Sequence, residues 1–244
     1  LPEGIGCQRC HGPGAAHVRE VLGGSDLPAI RAAIVNPRAL PLKRRDDVCF
    51  QCHLQPSVAI AGLRRDGRDD YSFRPGEALS DYLLHVEIDE PGRSRDQRFE
   101  INHHGYRLKQ SRCHSEGGLT CIDCHDPHVG LKRDPRVAGA AQVCARCHQA
   151  HEVSSEAIAP RDNCIACHMP RRRTQDVVHV VMTDHGMPRV APADALAPLA
   201  ESEPVITGLQ FLDPAAAPSG EEGVLYRSRS VLQAVASRPA LDAL

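Results

Sequence analysis

The chain has 244 residues and a formal net charge of −2, so its charge gives no basis for nucleic-acid binding. Hydrophobic residues reach 41%, but aromatics are only 3% and tryptophan is absent, leaving few large side chains with which to build a core. No apolar run approaches the roughly 20 residues of a membrane-spanning helix, so no transmembrane segment is predicted.

Residues 1–20 open on Cys7-Gln8-Arg9-Cys10-His11 and leave it through the tight turn Gly12-Pro13-Gly14. His17 follows on a short predicted helix ending at Leu22. A second helix is predicted from Pro28 to Val35, with Pro28 near its start and Pro37 just past its end. Lys43-Arg44-Arg45 reads as a solvated turn before Cys49-Phe50-Gln51-Cys52-His53. Residues 62–76 read as a charged loop, and 75–85 pass from turn chemistry into an apolar segment ending at His85. A helix is predicted from Phe99 to about Cys113, carrying His103 and His104. Cys113 is the odd cysteine: Cys113-His114 lacks a second thiol, and the residue reads as a buried small thiol.

Three motifs then fall within 48 residues: Cys121-Ile122-Asp123-Cys124-His125, Cys144-Ala145-Arg146-Cys147-His148 and Cys164-Ile165-Ala166-Cys167-His168. Asp126-Pro127-His128 is a rigid tripeptide that projects a histidine. Arg171-Arg172-Arg173 precedes a predicted strand from Val177 to Met182, closed by Thr183-Asp184-His185-Gly186. Residues 191–223 read as an extended Pro/Ala-rich linker. Residues 224–244 read as a short amphipathic helix with Leu225, Val231, Leu232 and Val235 as its stripe, a start for a truncated repeat region. Beginning at Leu1 rather than Met, the chain reads as a processed or trimmed piece.

Five C-x-x-C-H units use ten of the eleven cysteines, and C-x-x-C-H is the attachment motif of c-type haem. Cys7, Cys10, Cys49, Cys52, Cys121, Cys124, Cys144, Cys147, Cys164 and Cys167 would form the thioethers. His11, His53, His125, His148 and His168 would be the proximal iron ligands. Zinc ribbons do not require a histidine after every pair, and five pairs do not divide into four-cysteine sites. Disulfides between cysteines on one helical turn would staple little. The expected cofactor is therefore haem c, five per chain and covalently attached, with the porphyrins supplying the missing core volume. The expected fold is mostly α with sparse secondary structure, a multihaem cytochrome c fold wrapped around a packed haem chain over residues 1–190. Only three of the 29 basic residues are lysine, and arginine pairs well with haem propionates, although arginine-rich codon usage explains the bias as readily. Haem c is attached outside the cytoplasmic membrane, which predicts a periplasmic or extracellular location.

The run QRFEINHHGYRLKQSRCHSEGGLTCIDCHDPH at 97–128 resembles multihaem c-type cytochromes that often carry C-terminal tetratricopeptide repeats, with haem packing similar to cytochrome c554 and hydroxylamine oxidoreductase. GCQRCHGPGAAH at 6–17 and CIACHMPRRRTQDVVHVVMTDHGMPR at 164–189 resemble the same family. Nine histidines remain beyond the proximal five against three methionines, which favours bis-histidine ligation. The resemblance implies His17, His128 and His185 as distal ligands. On a helix His103 and His104 point about 100° apart, so one of them faces an iron, with His104 preferred. His85 is the fifth candidate and His151 a reserve, while His114 and His179 read as surface or supporting residues.

With every iron capped, the expected role is electron transfer, with no catalytic residue. Its partners would be redox proteins or extracellular acceptors, or further copies of the chain in a homopolymeric filament. The alternative is an oxidoreductase acting on nitrite or hydroxylamine through one open haem. Against it, pentahaem nitrite reductases use C-x-x-C-K at the active haem, and no motif here ends in lysine. Hydroxylamine oxidoreductases cross-link a tyrosine to the active haem, and Tyr71, Tyr82, Tyr106 and Tyr226 all lie outside the motifs.

Overall fold

The computed structural model of the protein describes residues 5–55, 62–129, 139–148, 164–202 and 205–237. The chain divides into two units, Leu1–Pro91 with Ile206–Leu244, and Gly92–Val205. The first and second C-x-x-C-H motifs fall in the first unit, and the other three in the second.

In the first unit, helices α1 (Gln8–His11), α2 (Ala15–Leu22), α3 (Leu27–Ala32) and α4 (Leu42–His53) occupy the N-terminal half. Asp26 caps α3 by accepting from the Ala29 amide at 2.9 Å, and Pro28 sits in its first turn, where a missing N–H is harmless. α3 ends three residues before the predicted Val35. Lys43-Arg44-Arg45 does not form a turn; it is the first turn of α4. The helix gains there because Asp46, Asp47, Val48 and Phe50 are buried, and Arg45 reaches back to the carbonyls of Arg38 and Leu40.

Two short antiparallel sheets complete this unit. β1 (Leu63–Arg64) pairs with β2 (Leu83–Leu84). β3 (Val86–Asp89) pairs with β6 (Gly208–Phe211), in the register Val86 to Phe211 and Ile88 to Leu209. The stretch read as an extended linker thus contains a strand whose partner lies about 120 residues earlier in the chain. Leu63, Leu84, Val86, Ile88 and Ile206 form a core with Tyr226 and Ala234 of helix α10 (Gly220–Ser237). The buried face of α10 is Tyr226, Ser230 and Ala234, spaced four apart, whereas Leu225, Leu232 and Val235 are exposed. Three of the four residues of the predicted stripe thus face solvent, and the fourth, Val231, is half-buried. The Tyr226 hydroxyl accepts from the Asp66 amide at 2.6 Å, and the Arg65 guanidinium lies 5.6 Å from the ring centroid.

The second unit contains α5 (His104–Gln110), α6 (Arg112–Ser115), α7 (Cys121–Cys124), α8 (Ala140–Ala145) and α9 (Cys164–His168), with a hairpin of β4 (Arg171–Arg173) and β5 (Val181–Thr183). The helix expected from Phe99 begins five residues late. Gln175 and Asp176 capture the backbone of the approach instead: the Phe99 amide donates to the Gln175 side chain, the Gln175 amide to the Phe99 carbonyl, and the Ile101 amide to Asp176. Ser111 then divides the helix, its hydroxyl accepting from the His114 amide as the cap of α6. The predicted strand at 177–182 shrinks to β5, because residues 177–180 turn on a bond from the Val180 amide to the Val177 carbonyl. Phe99, Tyr106, Leu108, Ala140 and Val178 are buried in this unit together with His103 and Thr174.

Regular structure is sparse, as expected, but partly rather than mostly helical, with three small two-stranded sheets beside the helices among the described residues. Among the described residues, no helix is long and apolar enough to cross a membrane.

Candidate haem-binding sites

Each motif lies on a helical turn or helix end, which places cysteines three apart on one face with the histidine beside them. In the first unit, α1 carries the first motif and the last turn of α4 carries the second. They are joined by Gln51, whose Nε2 donates to the Arg9 carbonyl at 3.0 Å. Burial pushes the Cys10 thiol up, and the neighbouring Cys49, Cys52 and Cys7 push it further. Burial and Cys49 likewise raise Cys52, with Arg9 opposing.

His11 Nδ1 lies 2.8 Å from the Val35 carbonyl, and His17 Nδ1 lies 2.9 Å from the Ile30 carbonyl. One segment, α3 and the residues after it, thus holds both imidazoles. With Nδ1–H donating to a carbonyl, the lone pair is on Nε2, the arrangement typical of a metal-ligating histidine. Gly12, at φ +75°, makes the turn away from His11 in a conformation costly for other residues. His85 is half-buried at the bend between β2 and β3, with its carbonyl accepting from the Leu212 amide.

In the second unit, α7 is closed by a capping box. The Thr120 amide and hydroxyl both donate to Asp123, the third residue of the motif, at 2.8 and 2.9 Å. Burial pushes the Cys124 thiol up to about 11; Cys144, Asp123 and Cys113 add to the rise and Arg146 opposes it. Cys144 is raised by burial, then by Cys164, to which it is also hydrogen-bonded, and by Cys113. Thiols of different motifs therefore approach in pairs, Cys124 with Cys144 and Cys144 with Cys164, and Cys113 is near Cys124 and Cys144. It is half-buried on α6.

The histidines of this unit divide sharply. His104, His125 and His185 gather: the His104 and His185 rings are 4.9 Å apart edge to face, and the His125 and His185 rings are 6.3 Å apart. His185 Nδ1 lies 3.1 Å from the Thr183 carbonyl, and His168 Nδ1 lies 3.0 Å from the Pro188 carbonyl. His103, the neighbour of His104, is instead turned into the core at 1% exposure. Its Nδ1 accepts from the Glu100 amide at 3.1 Å, and its Nε2 is 3.7 Å from the Glu100 carboxylate. His128 is exposed, with Nδ1 3.3 Å from Asp126. His179 is exposed near Glu201, His114 sits on α6, and His151 lies outside the described residues. An open cleft of about 600 Å³, a size that suits cofactors, runs beside α9, lined by Ile165, Ala166, Met169 and Leu196 among others.

Residue types signalled the motifs. The carbonyls that orient His11, His17, His168 and His185 had no sequence signal, because every residue has one. Asp184 had only a weak signal. It is fully buried, accepting from Arg107, Arg172 and the Gly186 amide, and it stands next to His185.

These residues fit covalent haem. All eleven cysteines are free thiols, and each motif offers a thiol pair with an adjacent imidazole. Among the described residues, no three His, Cys, Asp or Glu side chains are gathered as a cage for a lone metal ion. The Doubled CXXCH motif family matches residues 114–153, which contain the third and fourth motifs. The chain is also similar to Cytochrome c-552 of Bacteroides fragilis, at 26% identity over 163 residues, covering 61% of this chain and 32% of that protein. These findings support a multihaem c-type cytochrome with covalently bound haem c. The chain is further similar to the Multiheme cytochrome MtrA of Shewanella baltica, at 24% identity over 154 residues, covering 59% of this chain and 42% of that protein. It thus spans 32% and 42% of the length of these relatives. No solved structure matches it.

Proposed function

We propose that this cytochrome carries electrons along five c-type haems, one at each C-x-x-C-H motif, most of them capped by a second histidine. The observation that carries the proposal is the spacing of His125 and His185. Two imidazoles bound through Nε2 to opposite sides of one metal, each at about 2.0 Å, place their ring centroids about 6 Å apart. The 6.3 Å between His125 and His185 leaves room for one iron.

In this reading the haem iron supplies a one-electron couple, and the polypeptide binds, orients and shields it. His11, His53, His125, His148 and His168 are the proximal ligands. His185 is the distal partner of His125, and His17, held by the Ile30 carbonyl, serves the first unit. His85 is the remaining candidate there, so the unit holds two candidates for its two motifs. His104 serves the second unit in preference to His103, whose nitrogens face Glu100. His128 is the remaining candidate. The approach of Cys124 to Cys144 and of Cys144 to Cys164 supports close packing of the last three haems, of the cytochrome c554 kind.

The names of the relatives, both cytochromes, support a redox role. Because haem c is attached outside the cytoplasmic membrane, the proposal sets this role in the periplasm or outside the cell, with redox proteins or extracellular acceptors as partners. Assembly of copies into a filament is the further reach of the proposal, tested by native mass spectrometry of the secreted protein.

The test of the central claim is low-temperature EPR of the fully oxidised protein, with haem counted by pyridine haemochrome. Five haems, with low-spin signals from most of them, are expected. Fewer than five haems, or high-spin signals from most of them, would overturn the proposal, and a high-spin signal equal to one haem would direct attention to nitrite and hydroxylamine turnover.

A further inference from the structure

We propose that Asp184 is a positioning residue that holds the iron-ligating histidines of the second unit in register. The inference rests on the reading of His104, His168 and His185 as iron ligands.

Asp184 is fully buried, and both of its carboxylate oxygens are engaged. Oδ1 accepts from Arg107 Nε at 2.8 Å and from the Gly186 amide at 2.8 Å. Oδ2 accepts from Arg107 Nη2 at 3.0 Å and from Arg172 Nη1 at 2.8 Å. Its own amide donates to the Pro170 carbonyl at 2.9 Å. Each partner belongs to a segment that carries a candidate ligand. Arg107 lies on α5 three residues after His104, so both project from one side of the helix. Arg172 and Pro170 follow directly on α9, which ends at His168. Gly186 is on the far side of His185, so the Asp184 side chain closes a loop around that residue.

The paired guanidinium contact is directional, because two parallel N–H groups must meet two oxygens in one plane. A carboxylate between two arginines thereby fixes three backbones against one another. The fit is tight at Gly186, where an added Cβ would lie 2.6 Å from Arg107 Nη2 and 3.1 Å from Asp184 Oδ1. The Asp184 side chain bonds to none of the candidate ligands; it acts through the segments it joins.

The test uses the holoprotein with Asp184→Asn, which keeps the size of the side chain and removes its charge. Expected are an unchanged haem count, one haem equivalent converted from low to high spin, and its return to low spin on adding imidazole. Imidazole rescue reports a displaced ligand and would not follow from general loosening of the fold. His185→Gly should show the same rescuable signal, and the double variant should add nothing to it. A wild-type low-spin spectrum in Asp184→Asn, or a high-spin signal that imidazole leaves unchanged, would overturn the inference. If Asp184→Asn does not accumulate, Arg172→Gln removes one arginine and should give a smaller rescuable signal, and a wild-type spectrum there overturns the inference equally. A low-spin His185→Gly variant would instead sink the ligand assignment, and this inference with it.

Discussion

Replacing Tyr226 by Phe tests how α10 docks. The ring is 1% exposed, and its hydroxyl accepts from the Asp66 amide at 2.6 Å. Phe retains the ring and its apolar burial but leaves that amide without its acceptor. Asp66 is exposed, so water can take up its amide and the loss is that of one net hydrogen bond, about 1 kcal/mol. At about 2–4 °C per kcal/mol for a chain of this size, Tm should fall by about 2–4 °C. Leu232→Ala is the comparison, because Leu232 is 68% exposed. A surface truncation of that kind stays within about 0.5 kcal/mol, or less than about 2 °C. Far-UV circular dichroism melts of holoproteins matched in haem content provide the readout. If Leu232→Ala lowers Tm as much as Tyr226→Phe, the helix is docked by its aliphatic stripe and the packing described above is wrong.

Three further outcomes are expected. The Asp47 carboxyl is raised by burial, against the opposing hydrogen bonds from the Leu79 amide and Arg44, so the folded state holds its proton more tightly than the unfolded chain. Its ionisation therefore removes stability as pH rises from the unfolded value through the raised folded one. Asp47→Asn should stabilise the protein at pH 7 and have no effect once the pH is below the ordinary carboxylate range, as urea titrations at the two pH values would show. Thr120→Ala removes one side of the α7 capping box and should cost about 1 kcal/mol without lowering haem content, measured by melting and pyridine haemochrome; haem loss would mean that the cap is needed for attachment. Cys113→Ser should leave intact mass consistent with five haems, whereas Cys164→Ser with Cys167→Ser should remove one; a haem lost with Cys113 would contradict the motif count.

The haem motifs were legible because covalent attachment demands particular residue types at fixed spacing, and five repetitions are hard to produce by other means. Helix starts marked by Asp26 and Pro28 were legible for a similar reason, since capping is local chemistry. What escaped was long-range or backbone-borne. Lys43-Arg44-Arg45 is polar enough for a turn, and only the burial of Asp46 through Phe50 makes it helix. The β6 strand sits in a stretch whose composition suggests a linker, and its partner β3 is too distant in sequence to suggest it. On α10, hydrophobicity favoured Leu225 and Leu232, but small residues at Ser230 and Ala234 allow the close approach that decided the face. The preference for His104 over its neighbour turned on 100° of helix rotation; what the structure adds is Glu100, which occupies both nitrogens of His103.

The β3–β6 pairing sets an order of events. The first unit is built from both the early and the late parts of the chain, with the whole second unit intervening between Pro91 and Ile206. During synthesis its first two haem motifs emerge long before Gly208–Phe211, which must arrive to complete the sheet and bring α10 onto the core. If haem is attached as the chain emerges, Cys7 through Cys52 would be met on a chain that cannot yet close around them. The second unit, contiguous in sequence, can finish first. Emergence from the N-terminus and completion of the fold therefore run in opposite directions, and the two N-terminal motifs would have the longest period of access.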